Sequence, residues 1–203
     1  MLQQAFSLYG VYDERISACD ERIVQETAKL SDKVDPQCKP LPPRKESRPA
    51  WKDQMQGQDM REVLYRKFGA DLTAIEGIGV ATALVILTEV GGFKTEKHFC
   101  SWLGLCLDNR ISGGKVLSSH TRRVINRASD ALRMAAVTLE RSQSALGGFY
   151  RRMKGRLGAA EAITATAHKL ARIIYRLIKH GEPYIRQGME DYEKNIGNAN
   201  CTL

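Results

Sequence analysis

Leu72-Thr73-Ala74-Ile75-Glu76-Gly77-Ile78-Gly79-Val80-Ala81-Thr82-Ala83, continued by Leu84, Ile86, Leu87 and Val90 and stopped at Gly91-Gly92, is the stretch on which the fold turns. Apolar residues recur at helical steps on both sides of a Gly-x-Gly pair, the pattern of two helices joined by a tight turn. The spacing predicts a helix-hairpin-helix whose second helix opens at Val80. Gly77 and Gly79 let the backbone turn. The N–H groups at the helix start, with its positive dipole end, suit a phosphate held without base reading. The same residues also suit a plain turn between two core helices.

Downstream, Phe93, Phe99, Trp102, Leu103, Leu105 and Leu107 predict a short apolar helix that runs into a polar loop at Asp108-Asn109-Arg110. That loop then presents Ser112-Gly113-Gly114-Lys115, with glycines that permit close backbone approach and a lysine able to hold phosphate. Four such residues also suit a flexible polar loop. A helix is expected from about Ser119 to Ser142, with Val124, Ala128, Ala131, Leu132, Ala135 and Leu139 on one side and Arg123, Arg127 and Arg141 elsewhere. Gly147 and Gly148 are expected to break the chain. A last helix spans about Ala159 to Lys179, with Ile163, Ala167, Leu170, Ile174 and Leu177 as its apolar stripe. Its Lys169, Arg172 and Arg176 recur on the remaining surface with His168 and Lys179, where they can follow a sugar-phosphate backbone. Gly181 and Pro183 end it.

Upstream, Leu2, Ala5, Tyr9, Tyr12, Ile16, Cys19, Ile23 and Leu30 alternate three- and four-residue steps, interrupted at Glu26. That seam predicts a coiled-coil helix pairing with a neighbour in the same chain or in a second copy. Prolines at 36, 40, 42, 43 and 49 mark a linker, after which Met55, Met60, Val63, Leu64 and Phe68 predict a second amphipathic helix ended by Gly69. No sustained alternation supports a sheet. The expected fold is therefore all-α: a coiled-coil hairpin over 1–70 with its linker at 31–50, a compact helical domain over 71–186, and a tail at 187–203.

Charge separates the two halves. Residues 1–100 carry 14 Lys+Arg against 15 Asp+Glu, a balance of −1, whereas residues 101–203 carry 17 against 8, or +9. Fifteen basic residues lie between Arg110 and Lys179, with only Asp130, Glu140 and Glu161 as acids. Such a density suits a polyanion whose counterions are released on contact, with nucleic acid the leading partner and a basic solvated surface the plain alternative. The five cysteines form no CxxC pair and are expected to be free thiols; His98 beside Cys100 is ordinary packing. With no secretion signal and no long apolar run, a cytoplasmic protein is expected.

The order of these features resembles a known family. Ile75-x-Gly77-Ile78-Gly79-x-x-Thr82-Ala83, Trp102-Leu103-Gly104-Leu105, Ser112-Gly113-Gly114-Lys115, Asn126-Arg127 with Leu132-Arg133-x-Ala135-Ala136, Phe149-Tyr150-x-x-x-Lys154 and Gly181-Glu182-Pro183-Tyr184 stand in sequence. Their order and spacing resemble the C-terminal domain of bridge-RNA-guided insertion-sequence transposases, relatives of pilin-gene inverting recombinases. The likeness spans about residues 60 to 185.

The resemblance implies that Ser112 attacks a DNA phosphodiester and forms a phosphoserine link, completed by metal held on an N-terminal acidic domain of RNase H fold. Family members usually carry two serines before the glycines; here Ile111 precedes Ser112, so the retained serine is the one beside Gly113. Lys115, Arg122 and Arg123 are candidates to steady phosphate oxygens, but none is an evident base.

Asp13, Glu14, Asp20 and Glu21 read as solvated charges on the first helix, not as the acidic cage. The expectation is therefore a truncated or split transposase that binds no cofactor itself, with Mg²⁺ entering only through the acidic domain. Its expected partners are DNA, a structured guide RNA, that acidic domain in trans, and a second copy through the coiled coil. Two alternatives stand beside it: a non-catalytic DNA- or RNA-binding remnant, and a helical structural adaptor.

Overall fold

A computed structural model of the chain describes residues 2–35, 38–43, 49–90 and 92–180. The protein is mostly helical, as the sequence predicts, and divides into two compact units that meet at Asp71/Leu72.

The first unit opens with α1 (Leu2–Ala28), whose seam faces outward: Leu2 is 90% exposed, Tyr9 68% and Ile16 59%. A two-residue hairpin follows the linker, β1 (Gln54–Met55) against β2 (Gln58–Asp59), and Gln56 Nε2 donates to Ser17 Oγ on α1 at 2.9 Å. Asp59 then caps α2 (Met60–Phe68), accepting from the Arg61 and Glu62 N–H groups, and Gly69 closes the helix in the left-handed conformation. The second amphipathic helix thus starts later than Met55, because residues 54–59 turn as a hairpin. Where α1 ends, Lys67 Nζ donates to the Ala28 and Leu30 carbonyls and pairs with Asp32 at 2.8 Å. The buried Arg61 guanidinium reaches Asp71 from Nε at 3.1 Å and the Pro42 carbonyl from Nη2 at 2.9 Å, so one side chain ties the linker to the unit's end.

The second unit begins with a 3-10 turn, Leu72–Ala74, and α3 (Val80–Glu89), then α4 (Glu96–Trp102). β3 (Leu107–Ser112) and β4 (Lys115–Thr121) follow, then α5 (Arg127–Thr138), α6 (Ala145–Leu157) and α7 (Ala159–His180). α7 is the central element and packs against α4, α5 and α6. Its Ala162, Ala167, Leu170, Ala171 and Ile174 are fully buried, and Ala128 and Ala136 on α5 are equally so. Small side chains let these helices approach closely while the leucines fill the remaining space. The end of α7 expected at Gly181 and Pro183, with the motif through Tyr184 and the tail at 187–203, lies outside the described residues.

Three local expectations need correction. Residues 107–121 form an antiparallel hairpin, not a polar loop entering a helix at Ser119; α5 starts only at Arg127, capped by Asn126, whose side chain accepts from the Ala128 and Ser129 N–H groups. Gly147 and Gly148 lie inside α6. Ser144 caps that helix, and the missing Cβ of Gly147 makes room for the Ser142 carbonyl, which an ideal Cβ would meet at 2.2 Å. Ahead of the Gly-x-Gly turn stands a three-residue 3-10 turn, too short to be the first α-helix of a helix-hairpin-helix.

Candidate nucleic-acid interface and the Ser112 hairpin

Ser112 ends β3 and pairs with Lys115 across Gly113-Gly114. Both glycines have positive φ, +55° and +77°, the signature of a type I′ two-residue turn, whose twist matches that of the strands it joins. Ser112, Gly113, Gly114 and Lys115 are all exposed, so the serine hydroxyl stands at the tip of a projecting ribbon. Gly-Gly between two strand-compatible runs is itself a hairpin signal, and the alternation around it is blurred by polar residues on both strands and by an irregularity in the register at Arg110/Ile111.

The base of the ribbon is anchored. α4 ends in a Schellman turn, with the Leu105 N–H donating to the Cys100 carbonyl at 3.1 Å and the Gly104 N–H to Ser101 at 3.0 Å. Gly104, at φ +65°, leaves no room for a side chain: an ideal Cβ would stand 2.9 Å from the Arg122 carbonyl and collide with Val124. Arg122 Nη2 also donates to the Ser101 carbonyl at 3.3 Å. The Trp102-Leu103-Gly104-Leu105 motif therefore seats the hairpin on α4.

This geometry sorts the candidate cations. Lys115 is beside Ser112. Arg122 and Arg123, both exposed, follow Thr121 at the other end of the hairpin, which five residue steps of about 3.3 Å place roughly 17 Å away. They cannot share one phosphate with Ser112. His120, paired with Asp108, is likewise four steps from the tip, about 13 Å by the same rise, and beyond proton-transfer reach of the serine. Arg127 opens α5 and pairs with Glu89 at 3.0 Å, its side chain 81% exposed.

The last helix carries a different arrangement. Arg172 and Arg176 both grip Glu96 on α4, Arg172 from Nη2 at 2.9 Å and Arg176 from Nε at 2.6 Å. The hydrogen bond from Arg176 holds the Glu96 carboxyl below its ordinary range, burial opposes this, and the charge of Arg172 adds to it. Lys169 lies over the Phe149 ring at 5.6 Å, and its ammonium is pushed down first by burial and then by Arg172 and Arg176. Burial also lowers His168, with Arg172 adding to the effect and Glu96 opposing it. The cations sequence reasoning places on an open face are thus clustered and partly sheltered. No local pattern marks Glu96 as their partner, since it lies 76 residues from Arg172.

Gly79 precedes the first turn of α3, whose Ala81 is exposed. Gly77, at φ +81°, backs against α5, where an ideal Cβ would stand 2.9 Å from the Ala135 carbonyl. Its need for glycine comes from its left-handed φ together with packing within the unit.

Among the described residues, no three His, Cys, Asp or Glu side chains gather where they could hold a metal ion. Cys19, Cys38, Cys100 and Cys106 are free thiols, and burial, with a smaller contribution from Cys106, pushes the Cys100 thiol up to about 12, where it is inert; Cys201 lies outside the described residues. No described helix is long and apolar enough to cross a membrane.

The hairpin and most of the helices around it fall within a stretch that resembles known proteins. Residues 69–151 match the family model of the transposases of the IS116/IS110/IS902 family. The chain is also similar to the insertion element IS110 uncharacterized 43.6 kDa protein of Streptomyces coelicolor, with 28% identity over 118 residues, 56% of this chain and 29% of that protein. The matched stretch spans less than a third of that relative's length. No solved structure matches the chain.

Proposed function

We propose that this chain acts in DNA transposition as the serine-bearing part of a recombinase, with Ser112 as the nucleophile. The observation that carries the reading is the position of Ser112: at the exposed tip of a hairpin anchored at its base, beside Lys115, inside the stretch that matches the transposase family. In the proposed step the Ser112 Oγ–P bond forms, the phosphodiester P–O bond breaks, and the departing sugar oxygen takes a proton. Lys115 neutralises charge on the phosphate. The hairpin tip holds no base within reach, so the proton acceptor comes from elsewhere, in keeping with an acidic catalytic domain supplied in trans or by a longer polypeptide. A structured guide RNA selects the target, and α1 joins two copies through its exposed seam. The α3 start, through its first-turn N–H groups, with Gly113, Gly114 and Arg127, contacts backbone without reading bases.

The test is covalent trapping. The chain, a separately expressed acidic domain of the same element, guide RNA, Mg²⁺ and element DNA are expected to give a protein–DNA adduct. Ser112→Ala should lower its yield by about a hundredfold or more. An undiminished adduct in Ser112→Ala overturns the assignment.

The distance from Ser112 to His120 and Asp108 favours one second reading, a nucleic-acid-binding remnant without chemistry. That reading expects salt-sensitive DNA binding and no adduct from any mixture.

A further inference from the structure

We propose that Arg172 and Arg176 on α7 form a binding site for a nucleic-acid phosphate that Glu96 occupies in the unbound protein, so that Glu96 acts as a built-in competitor. The inference rests on nucleic acid being the partner, as proposed above, and adds how one part of that surface is governed.

The arginines stand one helical turn apart and present two guanidinium forks to one carboxylate. Glu96 Oε1 accepts from Arg172 Nε at 3.2 Å and Nη2 at 2.9 Å and from Arg176 Nη2 at 3.1 Å, while Oε2 accepts from Arg176 Nε at 2.6 Å. Four donors converging on one small anion match the geometry that binds phosphate oxygens equally well. The site is reachable, since the Arg172 and Arg176 side chains keep 42% and 33% of their exposure and Glu96 keeps 24%. Lys169 stands close enough for Arg172 and Arg176 to disfavour its charged form. An incoming diester meets a competitor that must swing aside. Glu96 is the first residue of α4, whose N–H cap is supplied by Thr95 Oγ1 to His98, so its side chain can leave without uncapping the helix.

The experiment is a titration of a short double-stranded DNA of arbitrary sequence by fluorescence anisotropy, repeated across salt concentrations, with the full chain. Glu96→Gln is expected to tighten binding about tenfold at low salt and to steepen the log–log salt dependence by about 0.9, the value for one more neutralised phosphate. Glu161→Gln, which removes an exposed acid at the far end of α7, controls for net charge and should change affinity by less than about twofold. Adding Arg172→Gln and Arg176→Gln to Glu96→Gln should abolish the gain. Equal gains from Glu96→Gln and Glu161→Gln, or no gain from Glu96→Gln in a protein with an unchanged melting temperature, overturn the proposal. If Glu96→Gln melts early, Glu96→Asp, whose shorter carboxylate keeps the charge but loosens the grip, must give the same direction of change or the proposal fails. Wild-type protein that binds no DNA even at low salt overturns the nucleic-acid reading itself; wild-type binding unaffected by Glu96→Gln overturns only the competitor.

Discussion

Two pairs of glycines divide the second unit into regions built on opposite principles. Gly104 and Gly147 lie where backbones press together, and an ideal Cβ would stand 2.9 Å from the Arg122 carbonyl in one case and 2.2 Å from the Ser142 carbonyl in the other. Gly113 and Gly114 have nothing within 4 Å of where a Cβ would stand. Gly147 is needed for space inside the bundle, and Gly104 both for space against the segment after β4 and for its left-handed φ of +65°. The second pair is needed only for the left-handed backbone of a turn, in a ribbon whose Leu107, Ile111 and Leu117 are 65%, 62% and 70% exposed. The helical bundle thus spends its glycines on close packing, and the hairpin spends them on presenting Ser112 at a tip.

Breaking the bundle side of that contrast should give the largest effect. Gly147→Ala and Gly104→Ala are each expected to cost about 3 kcal/mol, because the opposing atoms include backbone carbonyls that no rotamer change can move. Chemical denaturation of the purified variants checks this; a loss below about 1 kcal/mol would mean the bundle relaxes freely around both sites. On the hairpin side, Gly114→Ala meets no clash but must hold φ +77°, so about 1 kcal/mol is expected, together with a loss of turn geometry visible as shifted amide resonances confined to residues near Ser112.

The smallest effect sharpens the contrast at the polar rim of the bundle. The folded-state carboxyl of Glu96 lies below its ordinary 4.5, so its contribution to stability is complete above that value and is lost as pH falls through the folded value. Wild-type protein should therefore lose about 0.5 kcal/mol more than Glu96→Gln between pH 5 and pH 3, a modest figure because solvent screens the partly exposed arginines. Parallel acid titrations of melting temperature decide it; coincident curves would remove Glu96 from the bundle's stabilising contacts.

Much of the helical organisation is legible in the order of residues. The 3.6-residue recurrence of Leu170, Ile174 and Leu177 marks the buried stripe of α7, and Gly69 marks the end of α2. The hairpin was obscured because its strands are exposed on both faces and carry no apolar alternation, leaving only Gly113-Gly114 as a signal. Gly147 looked like a helix breaker because glycine is costly in an isolated helix; close approach of the Ser142 carbonyl reverses that preference. For the candidate site, Ser112, its turn and Lys115 were readable as neighbours in the chain. The distance of Arg122 and Arg123 from the serine was not, since it depends on strands whose register is set by pairing.

Composition, periodicity and capping residues were enough to specify a mostly helical protein with a basic second half, because helix formation and capping are governed by residues within a few positions of one another. Glu96 between Arg172 and Arg176, Gly104 against Val124, and the projection of Ser112 on a seated ribbon were decided only in three dimensions. Each joins segments whose proximity follows from how whole helices pack and strands pair, and no local pattern encodes that distance.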